Sequence, residues 1–318
     1  MFVLDSHCDT PTQIVRGRDL SIDNEHAHID IPKLKRGGVD AAFFALYVPA
    51  DLDVDAAYEC ACRQYDAVSN MVESNHGSVA FTLSESQAYE NKANGLISVF
   101  LGLENGSPIG HSLERIKEFY DKGVRYMTLC HSKDNQICDS CAGNGTWGGL
   151  SPFGREVVAE MNRLGMLVDV SHVSDATFYD VMECSAGPVV ATHSCCRALA
   201  DHPRNMTDDM IMALAAKGGV IQINFYPVFL QDDYELESHS SVIPSYTRIA
   251  DHIDHVVELV GIDHVGIGSD FDGIEVAPDG LEDVSKMPVL FDELRRRGYS
   301  EAELNKLASG NFFNVLSC

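Results

Sequence analysis

Short apolar runs and longer amphipathic segments succeed each other regularly along this chain. Two consecutive apolar runs, 166–172 and 188–193, contain β-branched residues, and segment 174–184 between them has helical periodicity. This order predicts a parallel βαβ unit, because two parallel strands need a crossover connection that is usually a helix. The same order recurs from end to end. The predicted strands are 2–7, 39–47, 97–104, 124–131, 166–172, 188–193, 220–225 and 264–270.

Eight predicted strands with helices between them indicate an α/β fold of the closed (β/α)8, or TIM barrel, type. The other amphipathic segments with helical periodicity are 53–75, 112–122, 153–164, 207–216 and 245–260. A doubly wound sheet is the alternative, but it rarely reaches eight regular parallel strands and would want a glycine-rich phosphate loop. The sequence contains neither a GxGxxG nor a Walker A pattern. We therefore expect one metal-dependent hydrolase-type barrel domain over residues 1–318.

Two segments stand outside this regular order. The weaker apolar run 79–83 is interpreted as an extra segment or the start of a helix. Residues 281–318 are predicted to form C-terminal helices that pack on the outside of the barrel.

The charge balance limits the partners that the protein could bind. Its 48 acidic and 23 basic residues give a formal net charge of −25, which argues against nucleic acid, because phosphate binding needs Lys and Arg clusters. No apolar run approaches the roughly 20 residues of a membrane span, and the first residues have no signal-peptide pattern. We expect a cytoplasmic protein without a membrane anchor. Its ten cysteines are then expected to be free thiols, with a Cys138–Cys141 disulfide only if the protein is exported.

Residues of the types that bind metal ions stand at the ends of six predicted strands. They are His7, Asp9, Glu104, His131, His172, His193 and Asp270. The carboxyl ends of barrel strands meet at one mouth of the barrel, and imidazole and carboxylate groups suit zinc better than manganese or iron. The alternative is coincidence, since polar residues are common near strand ends.

The spacing of these residues favours two ions over one. His7 and Asp9 could bind one ion together, since residues i and i+2 of a strand point the same way. Glu104 has two oxygens and could bridge to a second ion held by His172 and His193, which would let two metals polarise one carbonyl.

Several short segments, spread from residue 5 to residue 285, carry a resemblance to a known family. They are 5–9 (DSHCD), 102–106 (GLENG), 125–131 (RYMTLCH), 149–154 (GLSPFG), 169–174 (DVSHVS), 192–194 (THS), 204–205 (RN), 224–226 (NFY), 266–273 (GIGSDFDG) and 280–285 (GLEDVS). The sequence resembles the membrane (renal) dipeptidase family of zinc peptidases, whose barrels are of the amidohydrolase-like type. The resemblance implies two zinc ions per chain and hydrolysis of dipeptides by a hydroxide that bridges the ions.

The resemblance also implies how substrate would be bound. His131 would face the substrate and stabilise the oxyanion, and Arg204 would pair with the free carboxylate of a dipeptide. Asp270 would move the proton of the attacking hydroxide to the leaving amine. Tyr226 is expected to border the pocket as an aromatic wall. A homodimer is a family-level expectation only.

Departures from the family pattern concern the surroundings of these residues. Cys8 stands where an Asn is frequent, and its side chain is expected to point away from the metals. Loop 132–149, rich in Cys and Gly, has no clear counterpart, and its Trp147 could cap the substrate or pack on the barrel rim. His252 and His255 lie one helical turn apart and are expected to be structural.

Two other functions fit the same strand ends. One is an amidohydrolase of the same barrel type that acts on N-acyl amino acids or lactones, although Arg204 favours a substrate with a free carboxylate. The other is a catalytically silent metal-binding scaffold, which predicts the loss of an acid or histidine ligand. None is lost here.

Overall fold

The strands form a nearly closed barrel in the computed structural model, which describes residues 1–232, 234 and 242–317. The barrel order is β1-β2-β4-β5-β6-β7-β8-β9, every neighbouring pair is parallel, and β3 pairs with β4 outside this order. A parallel bridge between Cys8 and Phe271 brings the first and last strands together. The strands are β1 (Leu4–Cys8), β2 (Ala41–Tyr47), β3 (Val79–Phe81), β4 (Ile97–Glu104), β5 (Val124–Thr128), β6 (Leu167–Asp169), β7 (Val189–Ser194), β8 (Val220–Ile223) and β9 (Val265–Ile267). The predicted barrel is confirmed.

Helices connect the strands and cover the barrel. They are α1 (Thr10–Val15), α2 (Ile31–Arg36), α3 (Val54–Ser74), α4 (Glu85–Ala93), α5 (Leu113–Asp121), α6 (Pro152–Leu164), α7 (Asp175–Cys184), α8 (Asp208–Ala216), α9 (Pro227–Leu230), α10 (Thr247–Val260), α11 (Met287–Arg297), α12 (Glu301–Asn305) and α13 (Asn311–Leu316). Short polar side chains fix several N-termini, as Ser151 does by accepting from the main-chain N of Gly154. Across the described ranges, no helix combines the length and apolarity that a membrane crossing requires.

Four strands, β5, β6, β8 and β9, end earlier than the apolar runs predict, and three of them precede residues of the predicted site. β5, β6 and β9 stop three residues before His131, His172 and Asp270, so these side chains stand on the loops that follow the strands. His172 and Asp270 have φ angles of 71° and 62°, which a strand does not accommodate. The apolar run at 79–83 proves to be the short strand β3, because its main chain pairs with β4.

Buried polar groups tie the first strand to the chain just after β9 and, across the barrel, to β7. Asp5 accepts hydrogen bonds from the main-chain N and the hydroxyl of Ser269, at 2.8 and 2.5 Å. Ser6 donates its hydroxyl to the main-chain oxygen of Thr192 at 2.7 Å. Burial raises the pKa of Asp5 to about 6, and the bonds from Ser269 oppose this rise. These contacts cross the barrel interior, so the closure of the barrel depends on them as well as on main-chain pairing.

Gly268 lies where β9 approaches this contact, and we predict that Gly268→Ala destabilises the protein. A Cβ there would lie 1.9 Å from the main-chain oxygen of Thr192 and 2.6 Å from the hydroxyl of Ser6. We expect a loss of about 1–3 kcal/mol in the free energy of unfolding, measured by urea denaturation. Gly77→Ala is the matched control, because its Cβ would meet nothing within 4 Å. Equal stability of the two variants would contradict this account of barrel closure.

Candidate metal centre

A polar cavity of about 430 Å³ opens at the carboxyl ends of the strands. Of the residues singled out from the sequence, Asp9, Glu104, His131, His172 and Asp270 line it. His7 and His193 lie just beneath its surface and are fully buried. All seven predicted ligand-type residues are thus brought to one mouth of the barrel, although they come from β1 and the residue after it, from β4 and β7, and from the loops after β5, β6 and β9.

Glu104 lies at the centre of this cluster. Its Oε2 is 3.4 Å from Nε2 of His7. Its Oε1 is 3.1 Å from Nε2 of His172 and 3.5 Å from Nε2 of His193. Each carboxylate oxygen therefore faces a different set of imidazole nitrogens, which is the arrangement that a bridging carboxylate requires.

A buried hydrogen-bond chain fixes the tautomer of His193. The hydroxyl of Thr192 donates to Oδ2 of Asp169 at 2.7 Å and lies 2.8 Å from Nδ1 of His193. Because the one hydroxyl proton is directed to the carboxylate, Nδ1 of His193 must be the donor to the hydroxyl oxygen. Nε2 of His193 is left with a lone pair, and Nε2 of His172 is only 3.0 Å from it.

His7 is oriented in the same way by a tyrosine. The hydroxyl of Tyr126 donates to the main-chain oxygen of Ser6 at 3.2 Å and lies 2.9 Å from Nδ1 of His7. Nδ1 of His7 is therefore the donor, and Nε2 has a free lone pair that faces carboxylates. This Nε2 is buried and has no hydrogen-bond partner among the described residues. A divalent ion between Nε2 and these carboxylates would satisfy both.

The carboxylates of the cluster are crowded in a buried place. Burial, followed by the charge of Glu104, raises the pKa of Asp9 to about 7. Burial, followed by the charge of Asp9, raises the pKa of Asp270 to about 7. Asn224 donates to Oδ2 of Asp270 at 2.9 Å. A divalent cation among these oxygens would remove the mutual repulsion that raises both pKa values.

Three ligand sets in the described part of the chain have their donor atoms within 4.8 Å of one another. They are His7 with Glu104 and His193, Glu104 with His131 and His172, and His7 with Asp9 and Asp270. The donors are nitrogen and oxygen atoms only, and the unpartnered buried atoms include Nε2 of His7, Oδ1 of Asp9 and Oε2 of Glu104. The residues therefore fit divalent metal ions of the zinc type.

His131 stands at the edge of the cavity beside the ligands. Its ring packs against His172 and Tyr47, with centroid separations of 4.2 and 4.9 Å. Burial, followed by the positive charge of Arg204, lowers the pKa of His131 to about 4. The ring is therefore neutral at neutral pH and can donate one N–H to a substrate oxygen.

Arg204 and Tyr226 lie beside the cavity. Arg204 is buried and donates from Nη1 to the hydroxyl of Ser194 and from Nη2 to the main-chain oxygen of His193, both at 2.7 Å. Its Nε is buried without a partner among the described residues. Tyr226 is the N-cap residue of α9, and burial, followed by the interaction with Glu275, which lines the cavity, raises the pKa of its hydroxyl.

The remaining residues noted in the sequence do not belong to the cluster of ligand-type side chains. His252 accepts from the main-chain N of Cys196, and His255 pairs with Asp208, so the two rings have separate partners. Trp147 is half exposed, and its indole donates to the main-chain oxygen of Asn135. Cys8 donates to Phe43 on β2, away from the cluster, as expected. Cys138 and Cys141 are free thiols.

Asp169, Tyr126 and Asn224 also belong to the site, although no pattern in the sequence singles them out within the segments that carry the resemblance. Asp169 is fully buried and accepts from the hydroxyls of Thr128 and Thr192 and from two main-chain N–H groups. Its position two residues after Leu167 in an apolar strand was the one available signal, because a buried acid needs partners.

The chain is similar to known dipeptidases and metallopeptidases. The sequence pattern of "Membrane dipeptidase (Peptidase family M19)" matches residues 1–318. Dipeptidase verJ of Clonostachys rogersoniana is 37% identical over 301 residues, which cover 91% of this chain and 75% of that protein. An uncharacterized dipeptidase of Schizosaccharomyces pombe is 35% identical over 332 residues, covering 98% and 80%. A metallopeptidase of Rhodobacter sphaeroides, solved with a phosphinate mimic of the dipeptide L-Ala-D-Ala, has a TM-score of 0.92 at 28% identity, covering 100% of this chain and 99% of that one.

We predict that Asp169→Asn weakens metal binding through His193. The amide can direct its NH₂ at Thr192, whose proton would then turn to Nδ1 of His193 and move the ring proton to Nε2. We expect a loss of about 10–100-fold in zinc affinity, measured by competition with a colorimetric chelator.

Two further variants make this test decisive. Thr192→Val interrupts the same chain while the carboxylate keeps its bonds from Thr128 and from main-chain N–H groups. Asp121→Asn, on the exposed end of α5, removes a carboxylate far from the cluster and is the control. If Asp169→Asn and Thr192→Val both bind zinc as tightly as the unmodified protein, the hydrogen bonds from Asp169 through Thr192 do not orient His193.

Proposed function

The chain belongs to the membrane dipeptidase family and is a metal-dependent dipeptidase, and from this premise we propose that its centre holds two zinc ions. One observation carries the proposal: the two carboxylate oxygens of Glu104 face different imidazoles. Oε2 faces His7, and Oε1 faces His172 and His193. His7 and Asp9 would hold one ion, His172 and His193 the other, and Glu104 would bridge them. Such a pair of ions lowers the pKa of a coordinated water and polarises a carbonyl oxygen.

Asp270 is proposed to move the proton during hydrolysis. It lies beside Asp9 at the cavity wall, and Asn224 fixes its Oδ2 by a hydrogen bond of 2.9 Å. As the water oxygen bonds to the scissile carbon, Asp270 accepts the water proton. The carbon–nitrogen bond then breaks, and Asp270 returns the proton to the leaving amine.

His131 and Arg204 are proposed to bind the two oxygen-bearing groups of the dipeptide. The neutral ring of His131 at the cavity edge would donate to the carbonyl oxygen as negative charge develops there. Arg204 would bind the free carboxylate, since its guanidinium has further N–H groups beyond the two that Ser194 and His193 occupy. Tyr226 would border this end of the substrate.

The proposed reaction is tested by a substrate panel with metal removal. We expect the purified protein to hydrolyse L-Ala-L-Ala or L-Ala-D-Ala, to lose this activity after treatment with a chelator, and to regain it with zinc. L-Ala-L-Ala amide should be a poorer substrate, because it lacks the carboxylate that Arg204 would bind. A preparation that turns over N-acetylalanine or a lactone and no dipeptide would favour the other amidohydrolase reaction. A zinc-loaded preparation inert toward the whole panel would contradict the proposal.

We predict that Asp270→Asn lowers kcat about 10²–10⁴-fold, because the amide cannot accept the water proton. Steady-state kinetics with L-Ala-L-Ala measure this loss, and zinc content measured alongside separates a lost proton carrier from a lost ligand. Asp272→Asn is not a suitable control, since Asp272 pairs with Arg18 in the cavity wall. Asp292→Asn on the exposed side of α11 is suitable. A variant that keeps kcat within a few-fold of the unmodified protein would contradict the role of Asp270.

A further inference from the structure

The side chains of two arginines have no partner in the part of the chain that the structure describes. The guanidinium groups of Arg16 and Arg63 neither donate a hydrogen bond to nor form an ion pair with any described residue, whereas the side chain of every other arginine does one or both. Acidic residues outnumber basic ones 48 to 23, so an unpaired arginine is unexpected on composition alone. The two arginines are far apart in the sequence, on the C-cap of α1 and on α3.

Both arginines line one cavity of about 180 Å³ that adjoins the metal centre. This side cavity shares Thr12, Arg16 and Tyr47 with the cavity of about 430 Å³ at the cluster, so the two are neighbours across these residues. Within the described part of the chain, no acidic residue lines the side cavity. A small space with two unpaired guanidinium groups and no carboxylate is complementary to an anion.

Tyr47 adds a third donor to the side cavity. Its hydroxyl has no hydrogen-bond partner among the described residues, and its side chain lines both cavities. A tyrosine hydroxyl is protonated at neutral pH and can donate one hydrogen bond. Gln64 in the wall donates from Nε2 to the main-chain oxygen of Tyr47, which holds α3 against the end of β2.

The place of the side cavity in the barrel indicates which part of a dipeptide reaches it. Tyr47 ends β2, whereas Arg204 bonds to the end of β7, and these two strands stand opposite each other, four strands apart in either direction. A dipeptide with its carboxylate at Arg204 and its scissile bond over Glu104 would direct its N-terminal residue toward β1 and β2. The side chain of that residue would then face Arg16 and Arg63.

We propose that this side cavity is a specificity subsite for an acidic side chain, so that the enzyme prefers dipeptides with N-terminal Glu or Asp. The inference rests on the proposed function, because it assumes that Arg204 binds the C-terminal carboxylate. Arg16 and Arg63 donate to the side-chain carboxylate, and the hydroxyl of Tyr47 reaches it from the metal side. The guanidinium groups also offset the repulsion that Asp9, Asp270 and the net charge of −25 exert on an acidic substrate.

The test compares pairs of substrates that differ only in carboxylate against amide. The unmodified enzyme should show a kcat/KM for L-Glu-L-Ala about two- to fivefold above that for L-Gln-L-Ala, because Arg16 and Arg63 are exposed and solvent weakens an exposed ion pair. Arg63→Gln should bring this ratio close to one, and Arg16→Gln should lower it in the same direction. The pair L-Ala-L-Glu and L-Ala-L-Gln measures the same preference at the C-terminal residue, where Arg63→Gln should leave the ratio unchanged.

Arg163→Gln is the matched control, because it makes the same change in net charge on exposed α6 and Arg163 lines neither cavity. The control should keep the Glu-to-Gln ratio of the unmodified enzyme. A ratio of one or less in the unmodified enzyme, or the same ratio in all variants, would overturn the subsite. If Arg63→Gln lowers the Glu-to-Gln ratio only for L-Ala-L-Glu and L-Ala-L-Gln, the subsite does not bind the N-terminal side chain. An enzyme that cleaves L-Ala-L-Ala without the preference refutes the subsite alone, whereas one that cleaves no dipeptide refutes the proposed function.

Discussion

The arrangement of the site depends on one buried carboxylate, Glu104, whose two oxygens face separate groups of imidazole nitrogens. A carboxylate at the end of β4 is costly to bury unless positive charge lies close to it. The nearest groups are His7 on one side and His172 and His193 on the other, and hydrogen bonds fix His7 and His193 with their lone pairs toward the cluster. Nε2 of His7, Oδ1 of Asp9 and Oε2 of Glu104 are buried without a hydrogen-bond partner among the described residues. The donor set is therefore complete only when divalent ions are bound.

The barrel holds this arrangement rigid through groups below the cluster. Asp169 collects two hydroxyls and two main-chain N–H groups, and Tyr126 spans the barrel interior to reach His7. Asp5 joins β1 to the chain just after β9, which brings Asp9 and Asp270 to the same side of the cavity. Each of these groups is fully buried and has its hydrogen bonds satisfied within the protein. The positions of the ligand-type side chains are therefore fixed by buried hydrogen bonds within the folded barrel.

The sequence predicts the barrel well, because apolar periodicity records which strands are buried. It also identifies Glu104, His172 and His193, since each follows an apolar run at the carboxyl end of a strand. It does not predict where the strands stop. The positive φ angles of His172 and Asp270 end the strand conformation, and the pattern of apolar residues does not reveal them. It also gives no reason to pair Arg16 with Arg63, which come together only when α1 packs on α3. Contacts between elements far apart in the chain determine these features, and periodicity within one element cannot report them.

Crystals soaked in zinc and measured at the zinc absorption edge would show whether Glu104 bridges two ions. Two anomalous peaks are expected roughly 3.5–4 Å apart, one beside His7 and Asp9 and the other beside His172 and His193, with Glu104 in contact with both. A single peak in fully loaded crystals, or two peaks of which only one touches Glu104, would contradict this bridging role.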